Sequence, residues 1–184
     1  MKNLKQLGII CFLFIGGSLM AQNGSTMVGG AEMYPSKNIV ENASKSEVHT
    51  TLVAAVKAAD LVATLQSEGP FTVFAPTNAA FEKLPAGTVE SLLQPENKEK
   101  LQAVLTYHVI AGDYSASEVV AAIKKGDGKA SFETVNGAML YAMMEDGKVK
   151  LQDAQGNVAT VTTADVNQSN GVIHVIDSVL LPGN

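Results

Sequence analysis

The stretch Phe71-Thr72-Val73-Phe74-Ala75-Pro76-Thr77-Asn78-Ala79-Ala80-Phe81 limits the possible folds of this chain more than any other. Its aromatic and β-branched first half favours an extended backbone, bounded by Gly69-Pro70 before it and Pro76 after it. Pro76 has no N–H to give a ladder, so strand pairing is expected to end there. Thr77 or Asn78 can then accept a backbone N–H and open a helix with Phe81 and Leu84 on one face. A strand that turns at once into a capped helix fixes the angle between a sheet and the helix lying on it.

Around this unit the pattern changes along the chain. Asn38 to Val48 is helical, and Thr50 or Thr51 is expected to cap a longer helix carrying Leu52, Val56, Ala59 and Ala63, with a break at Asp60. After Pro95, the residues Leu101, Val104, Leu105 and His108 fall on one helical face. Ser117 is expected to cap a further short helix. From Ala130 onward the chain reads as strands. Asp146-Gly147 predicts a type I′ hairpin joining Leu140–Met144 to Lys148–Leu151. Val172 to Ile176 is nearly continuous in apolar residues and predicts a strand central in its sheet. Helices early and strands late give an α+β class.

The first 21 residues are read as a signal peptide: Lys2 and Lys5, an apolar run from Leu7 to Ile15, and Leu19-Met20-Ala21 as the cleavage site. That run is too short to span a membrane, which takes about 20 apolar residues. Residues 22–37 are rich in glycine and small residues and read as a flexible leader before a domain at 38–182. Cleavage after Ala21 would remove Cys11, the single cysteine, and with it any disulfide or thiolate chemistry. The exported chain would be secreted, to a periplasm or fully outside the cell. It would carry 11 lysines (13 less Lys2 and Lys5) against 18 acidic residues, a net charge of −7. Arginine is absent and no basic cluster exceeds Lys124-Lys125, which argues against nucleic acid as a partner.

Three motifs carry a resemblance. Phe71 to Phe81, with Phe74, Pro76, Thr77, Asn78 and Phe81, resembles the first motif of the fasciclin domain family. Asn170-Gly171-Val172-Ile173-His174-Val175-Ile176-Asp177 resembles its second, and Tyr107-His108 stands where that family has a Tyr-His pair. The resemblance runs from about Asn38 to Pro182. It implies a wedge of two β-sheets with helices packed alongside, and a role in cell adhesion or contact with a cell-surface or matrix protein or polysaccharide. Where the family often has Asp, this chain has Asn78, which keeps the cap.

The residues offer little chemistry of their own. His49 has no partner nearby in sequence and reads as a surface or capping residue. His108 and His174 lie in apolar patterns and read as core histidines with satisfied hydrogen bonds. No metal-ligand spacing, phosphate loop or nucleophile elbow is present, so no catalytic residue, metal or cofactor is assigned. Asp153 and Glu145-Asp146 read as turn residues. Two function classes stay open: an exported, non-enzymatic interaction module, and a carrier or unrecognised enzyme with an apolar pocket near Tyr107 and Met143-Met144. The Tyr-His region is associated with adhesion in the family, which would make it the contact surface. The local pattern instead buries His108 and His174 and turns Tyr107 outward as the candidate partner contact.

Overall fold

In the computed structural model, which describes residues 24–183, the opening motif is the strand that everything else packs around. The expected signal peptide, its cleavage point and Cys11 lie outside the described residues. In chain order, β1 (Thr26–Val28) and β2 (Ala31–Met33) form a hairpin, followed by α1 (Ile39–Ala43), α2 (Thr50–Ala58) and α3 (Val62–Gln66). Then come β3 (Phe71–Pro76), α4 (Asn78–Glu82), α5 (Thr88–Leu92), a 3-10 turn at Pro95–Asn97, α6 (Lys98–Tyr107), β4 (Val109–Ala111) and α7 (Ala116–Lys125). The second half is β5 (Lys129–Glu133), β6 (Met139–Glu145), β7 (Lys148–Gln152), β8 (Val158–Gln168) and β9 (Gly171–Ile176). The class is α+β.

Seven strands follow one order, β4-β3-β9-β8-β7-β6-β5. The eleven-residue β8 serves two sheets: its first part pairs with β7, and its length pairs with β9 through two register shifts. Asp165 sits at φ 56° within the irregular part, between Thr163 and Val166. A bulge of this kind bends a strand and raises its twist. The two sheets of the wedge part where β8 changes partner, its pairing with β7 ending at Thr160 and its pairing with β9 beginning at Val161.

β3 and β9 run parallel in register from Phe71 and Gly171 to Pro76 and Ile176, and nearly every residue of both is buried. Side chains alternate across a strand, so these two strands feed two cores. Val73, Ala75, Ile173 and Val175 face one with Leu52, Val56, Leu101 and Leu105; Phe74 and Ile176 face the other with Leu140, Ala142, Leu151 and Ile123. Parallel strands covered on both faces read as continuous apolar runs, as Val172 to Ile176 does. Gly171 is where the two strands come closest. A Cβ there, at φ 150°, would lie 1.9 Å from the Phe71 carbonyl oxygen.

Several local expectations are met and others are corrected. Asp146 (φ 52°) and Gly147 (φ 73°) form the turn between β6 and β7, with Glu145 opposite Lys148, as a type I′ turn requires. Residues 24–37 are not a flexible leader. β1 and β2 pair antiparallel, and Val28 and Met33 are buried in the first core. Glycine content suggested mobility, but two apolar side chains one turn apart suffice to dock the hairpin. Ser115, not Ser117, caps α7, forming a capping box with Glu118.

Candidate functional site

The motif residues come together as an interior framework. Thr77 caps α4, its side chain accepting from the Ala80 N–H at 3.3 Å. Asn78 takes the first helical position and caps a different helix. Its Oδ1 accepts from the Thr51 N–H (3.0 Å) and the Thr50 hydroxyl (3.2 Å), while its Nδ2 donates to the Glu47 carbonyl (2.9 Å). Neither Thr50 nor Thr51 caps α2, and His49, at its N-cap position, makes no side-chain cap bond. The start of α2 is thus completed from another element. A carboxylate at 78 could accept the same bonds but could not donate to Glu47.

Asn170 plays the same part at the other end of the central strands. Its Oδ1 accepts from the Ile39 N–H (3.1 Å), and its Nδ2 donates to the carbonyls of Leu65 (2.8 Å) and Ser67 (3.0 Å). One amide therefore ties α1 and α3 to the turn that opens β9. Pro76 and Phe81 are buried, Pro76 as the last residue of β3 and Phe81 under α4.

His108 and His174 are both buried and both neutral. His108 Nδ1–H donates to the Val104 carbonyl (2.8 Å), leaving Nε2 to accept from the Leu180 N–H (3.0 Å). Burial lowers its pKa to about 4, against a smaller opposing pull from the Val104 carbonyl. His174 has the other tautomer: Nε2–H donates to the Tyr114 carbonyl (2.8 Å) and Nδ1 accepts from the Asp165 N–H (3.3 Å). Burial lowers its pKa too, and its ring stacks on Phe74 at 5.7 Å. Both rings use each nitrogen once. This leaves neither with a lone pair free for a metal or a proton transfer.

Tyr107 corrects the sequence expectation. It is fully inaccessible to solvent, not an exposed contact. Its hydroxyl donates to the Met139 carbonyl (2.9 Å) and accepts from the Ala154 N–H (3.0 Å), tying α6 to β6 and to the turn after β7. Burial raises its pKa, partly offset by the Ala154 N–H. The outward expectation assumed that a side chain turned away from His108 would meet water. Instead α6 lies between the two cores, so Leu105 faces one and Tyr107 the other. The pocket expected near Tyr107 and Met143-Met144 is likewise misplaced. Met143 lies on the face of β6 opposite Leu140 and Ala142, and Met144 is 41% exposed at the strand end. The apolar cavity lies on the opposite side of α6 from the Tyr107 ring, against α1, α2 and α3, with Leu105, Thr106 and His108 in its wall.

Sequence reasoning missed two buried polar residues. His49 is buried, not superficial. Ser46 Oγ lies within hydrogen-bond distance of both the Val28 carbonyl (3.2 Å) and His49 Nδ1 (2.9 Å). Its Nε2 is buried with no hydrogen-bond partner. Burial lowers this pKa, and the nearby Ala75 carbonyl favours the charged ring without closing a bond of normal geometry. Asp153 is a turn residue, as expected, but a buried one. Its oxygens accept from the N–H groups of Gln155, Asn157 and Leu181 and from Asn157 Nδ2. These four bonds occupy the positions a cation would need. The run Asp153-Ala154-Gln155-Gly156-Asn157 could have signalled an Asx turn.

Among the described residues, no group of three or more His, Cys, Asp or Glu side chains could hold a metal ion, and no helix is long and apolar enough to cross a membrane. Comparison with known proteins gives the framework its name. The fasciclin domain model matches residues 47–182. Protein sll1483 of Synechocystis sp. is 53% identical over 158 residues, covering 86% of this chain and 81% of that protein. Cell surface glycolipoprotein MPB83 of Mycobacterium bovis is 36% identical over 169 residues, or 88% of this chain and 68% of that one. Immunogenic protein MPB70 of the same species is 39% identical over 145 residues, or 76% and 66%. A solved FAS1 domain pair from the insect cell adhesion molecule fasciclin I superposes with a TM-score of 0.69 at 19% identity. That match covers 80% of this chain and 52% of the pair, and its likeness is one of fold. With its motif residues serving as the struts between two cores, this chain belongs to the fasciclin domain family.

Proposed function

We propose that the protein is an exported, non-enzymatic interaction module that holds a cell-surface or matrix protein or polysaccharide. The observation that carries this reading is the state of the motif side chains. Tyr107, His108 and His174 are buried, and each nitrogen or hydroxyl is spent on a backbone partner. Residues so engaged stabilise a scaffold rather than transform a substrate. Relatives described as a cell surface glycolipoprotein and, at the level of fold, a cell adhesion molecule support the same reading.

With Tyr107 interior, the contact falls to exposed residues. The outward face of β6 presents Met139, Tyr141 and Met143 at alternate positions. Lys129 and Lys150 stand directly opposite Met143 on the neighbouring strands, and Lys129 Nζ lies 4.3 Å from the Tyr141 ring centroid. A partly exposed face of aromatic, thioether and long-stemmed cationic groups has the composition of an interface centre. The test is retention of purified protein on surface material from its source. Tyr141→Ala is expected to weaken it by about 1–2 kcal/mol with the thermal midpoint little changed. Undiminished retention would remove β6 from the interface, and no retention by the unaltered protein would overturn the module reading.

A further inference from the structure

We propose that the free edge of β5 is a strand-addition site for an extended polypeptide, which enters the cleft between β5 and β4 and pairs with Ser131 and Glu133. β4 and β5 are the outer strands of the seven-strand order, so each has one side without a neighbouring strand. Residues of an antiparallel pair alternate between bonding each other and turning their amides outward. The Thr134 N–H donates to the Ala138 carbonyl (3.0 Å), so by the β5–β6 register Phe132 bonds Leu140 and Ala130 bonds Ala142. The N–H and C=O groups of Ser131 and Glu133 therefore point away from β6, and both residues are exposed. No backbone group among the described residues meets them.

The two outer edges touch once and then part. The Val135 N–H donates to the Val109 carbonyl (2.8 Å). Beside that bond lies an open cleft of about 430 Å³, with Ala111 and Tyr114 on the β4 side and Ser131, Phe132 and Glu133 on the other. One water needs about 10–15 Å³ on the same measure, so the space admits a length of chain with its side chains. Tyr114 and Phe132, edge to face at 5.3 Å, give it an apolar wall. Exposed edges are usually blunted by proline, a bulge or a covering segment. β5 contains no proline and keeps register with β6 along its whole length. Its Lys129 is drawn back over β6 and β7 by the Tyr141 ring and the Gln152 side chain. The occupant follows from the repeat. Outward amides two residues apart recur every ~6.6 Å along a strand, a spacing that an extended peptide matches bond for bond. A helix has spent its amides internally, and a polysaccharide carries no such row of N–H and C=O groups.

This edge adjoins the β6 face without being part of it, and it goes beyond the module reading: a defined peptide can fail to pair while surface material is still retained, and the reverse. The probe is a capped peptide of alternating threonine and valine with a lysine at each end, at millimolar concentration. Main-chain bonds carry the recognition, so its exact sequence matters second. Amide hydrogen exchange of the purified protein, followed by NMR, is expected to slow about fivefold or more at Ser131 and Glu133 when the peptide is added. Methylating the backbone nitrogens of one alternate set of its residues is expected to abolish that slowing. Ser131→Pro removes an outward N–H and leaves the β6 ladder intact, so the variant folds and binds the peptide about tenfold more weakly. Should it not fold, Glu133→Pro removes the next outward N–H. No slowing at either amide would overturn the proposal. So would slowing that survives methylation of each alternate set in turn, or undiminished affinity in a folded proline variant.

Discussion

The two cores share the central strands but are built differently. In the second, seven of thirteen buried residues are wholly inaccessible: Tyr107, Leu140, Ala142, Leu151, Ala159, Ile176 and Leu180. In the first, only Ala59, Ala80 and Val166 of twenty are. The second core is closed by a four-strand ladder, β5 to β8, with the ten-residue α7 laid against it. The first is covered by α2 and α6 together with α1, α3, α4 and α5, which are helices of five residues each and cannot present two full turns to a sheet. Hydrogen bonds within such short helices are few; the Asn170 amide ties α1 and α3 from outside, and the Asn78 amide ties α4 to the start of α2. A sheet-closed core packs to exclusion; a roof of short helices leaves a cavity.

This contrast can be broken by matched truncations. Leu151→Ala in the second core is expected to cost about 4–5 kcal/mol, since ladder strands cannot collapse into the gap, and Leu52→Ala in the first about 2–3 kcal/mol. Chemical denaturation of both decides it, and equal losses would dissolve the distinction. Next in size is the acid limb. His108 is neutral in the fold with a pKa of about 4, against about 6.5 when unfolded, so only the unfolded chain gains a proton between these values. Stability is therefore complete above about pH 6.5 and falls as pH drops toward 4, by about 3 kcal/mol for this one residue. His49 and His174, also lowered by burial, add in the same direction. His108→Gln is expected to flatten that limb; an unchanged slope would mean that the ring is charged in the fold.

A smaller effect isolates backbone strain from packing. At Gly147 a Cβ would meet nothing within 4 Å, yet φ is 73°. Gly147→Val is expected to cost about 1–2 kcal/mol through conformation alone. A neutral result would show the β6–β7 turn to be adaptable. The smallest effect sharpens the comparison by sign. Val56→Ile adds a methylene facing the cavity and is expected to stabilise by about 0.5 kcal/mol. Val119→Ile, under α7 in the sealed core, is expected to destabilise by about 1 kcal/mol or more. Thermal midpoints of the pair report both signs.

Patterns of two to eleven neighbouring residues were enough to read the strand and capped helix at Phe71–Phe81, the Asp146-Gly147 hairpin, the buried strand through His174 and the α+β class. Each follows from local backbone chemistry: a missing N–H, a tolerated positive φ, an unbroken apolar run. Burial of His108 was legible from its helical spacing with Leu101, Val104 and Leu105. Burial of Tyr107 was not, because one helix can be wet on its far face or pressed between two cores, and periodicity is the same in both. Glycine-rich residues 24–37 gave no sign that Val28 and Met33 would find a core to dock against. Nor could the sequence show that the cap of α2 comes from Asn78, or that Asn170 accepts from the Ile39 N–H of α1, 131 residues away. The tertiary structure decided which polar groups meet and where space is left over, because both depend on contacts between segments that no local window contains.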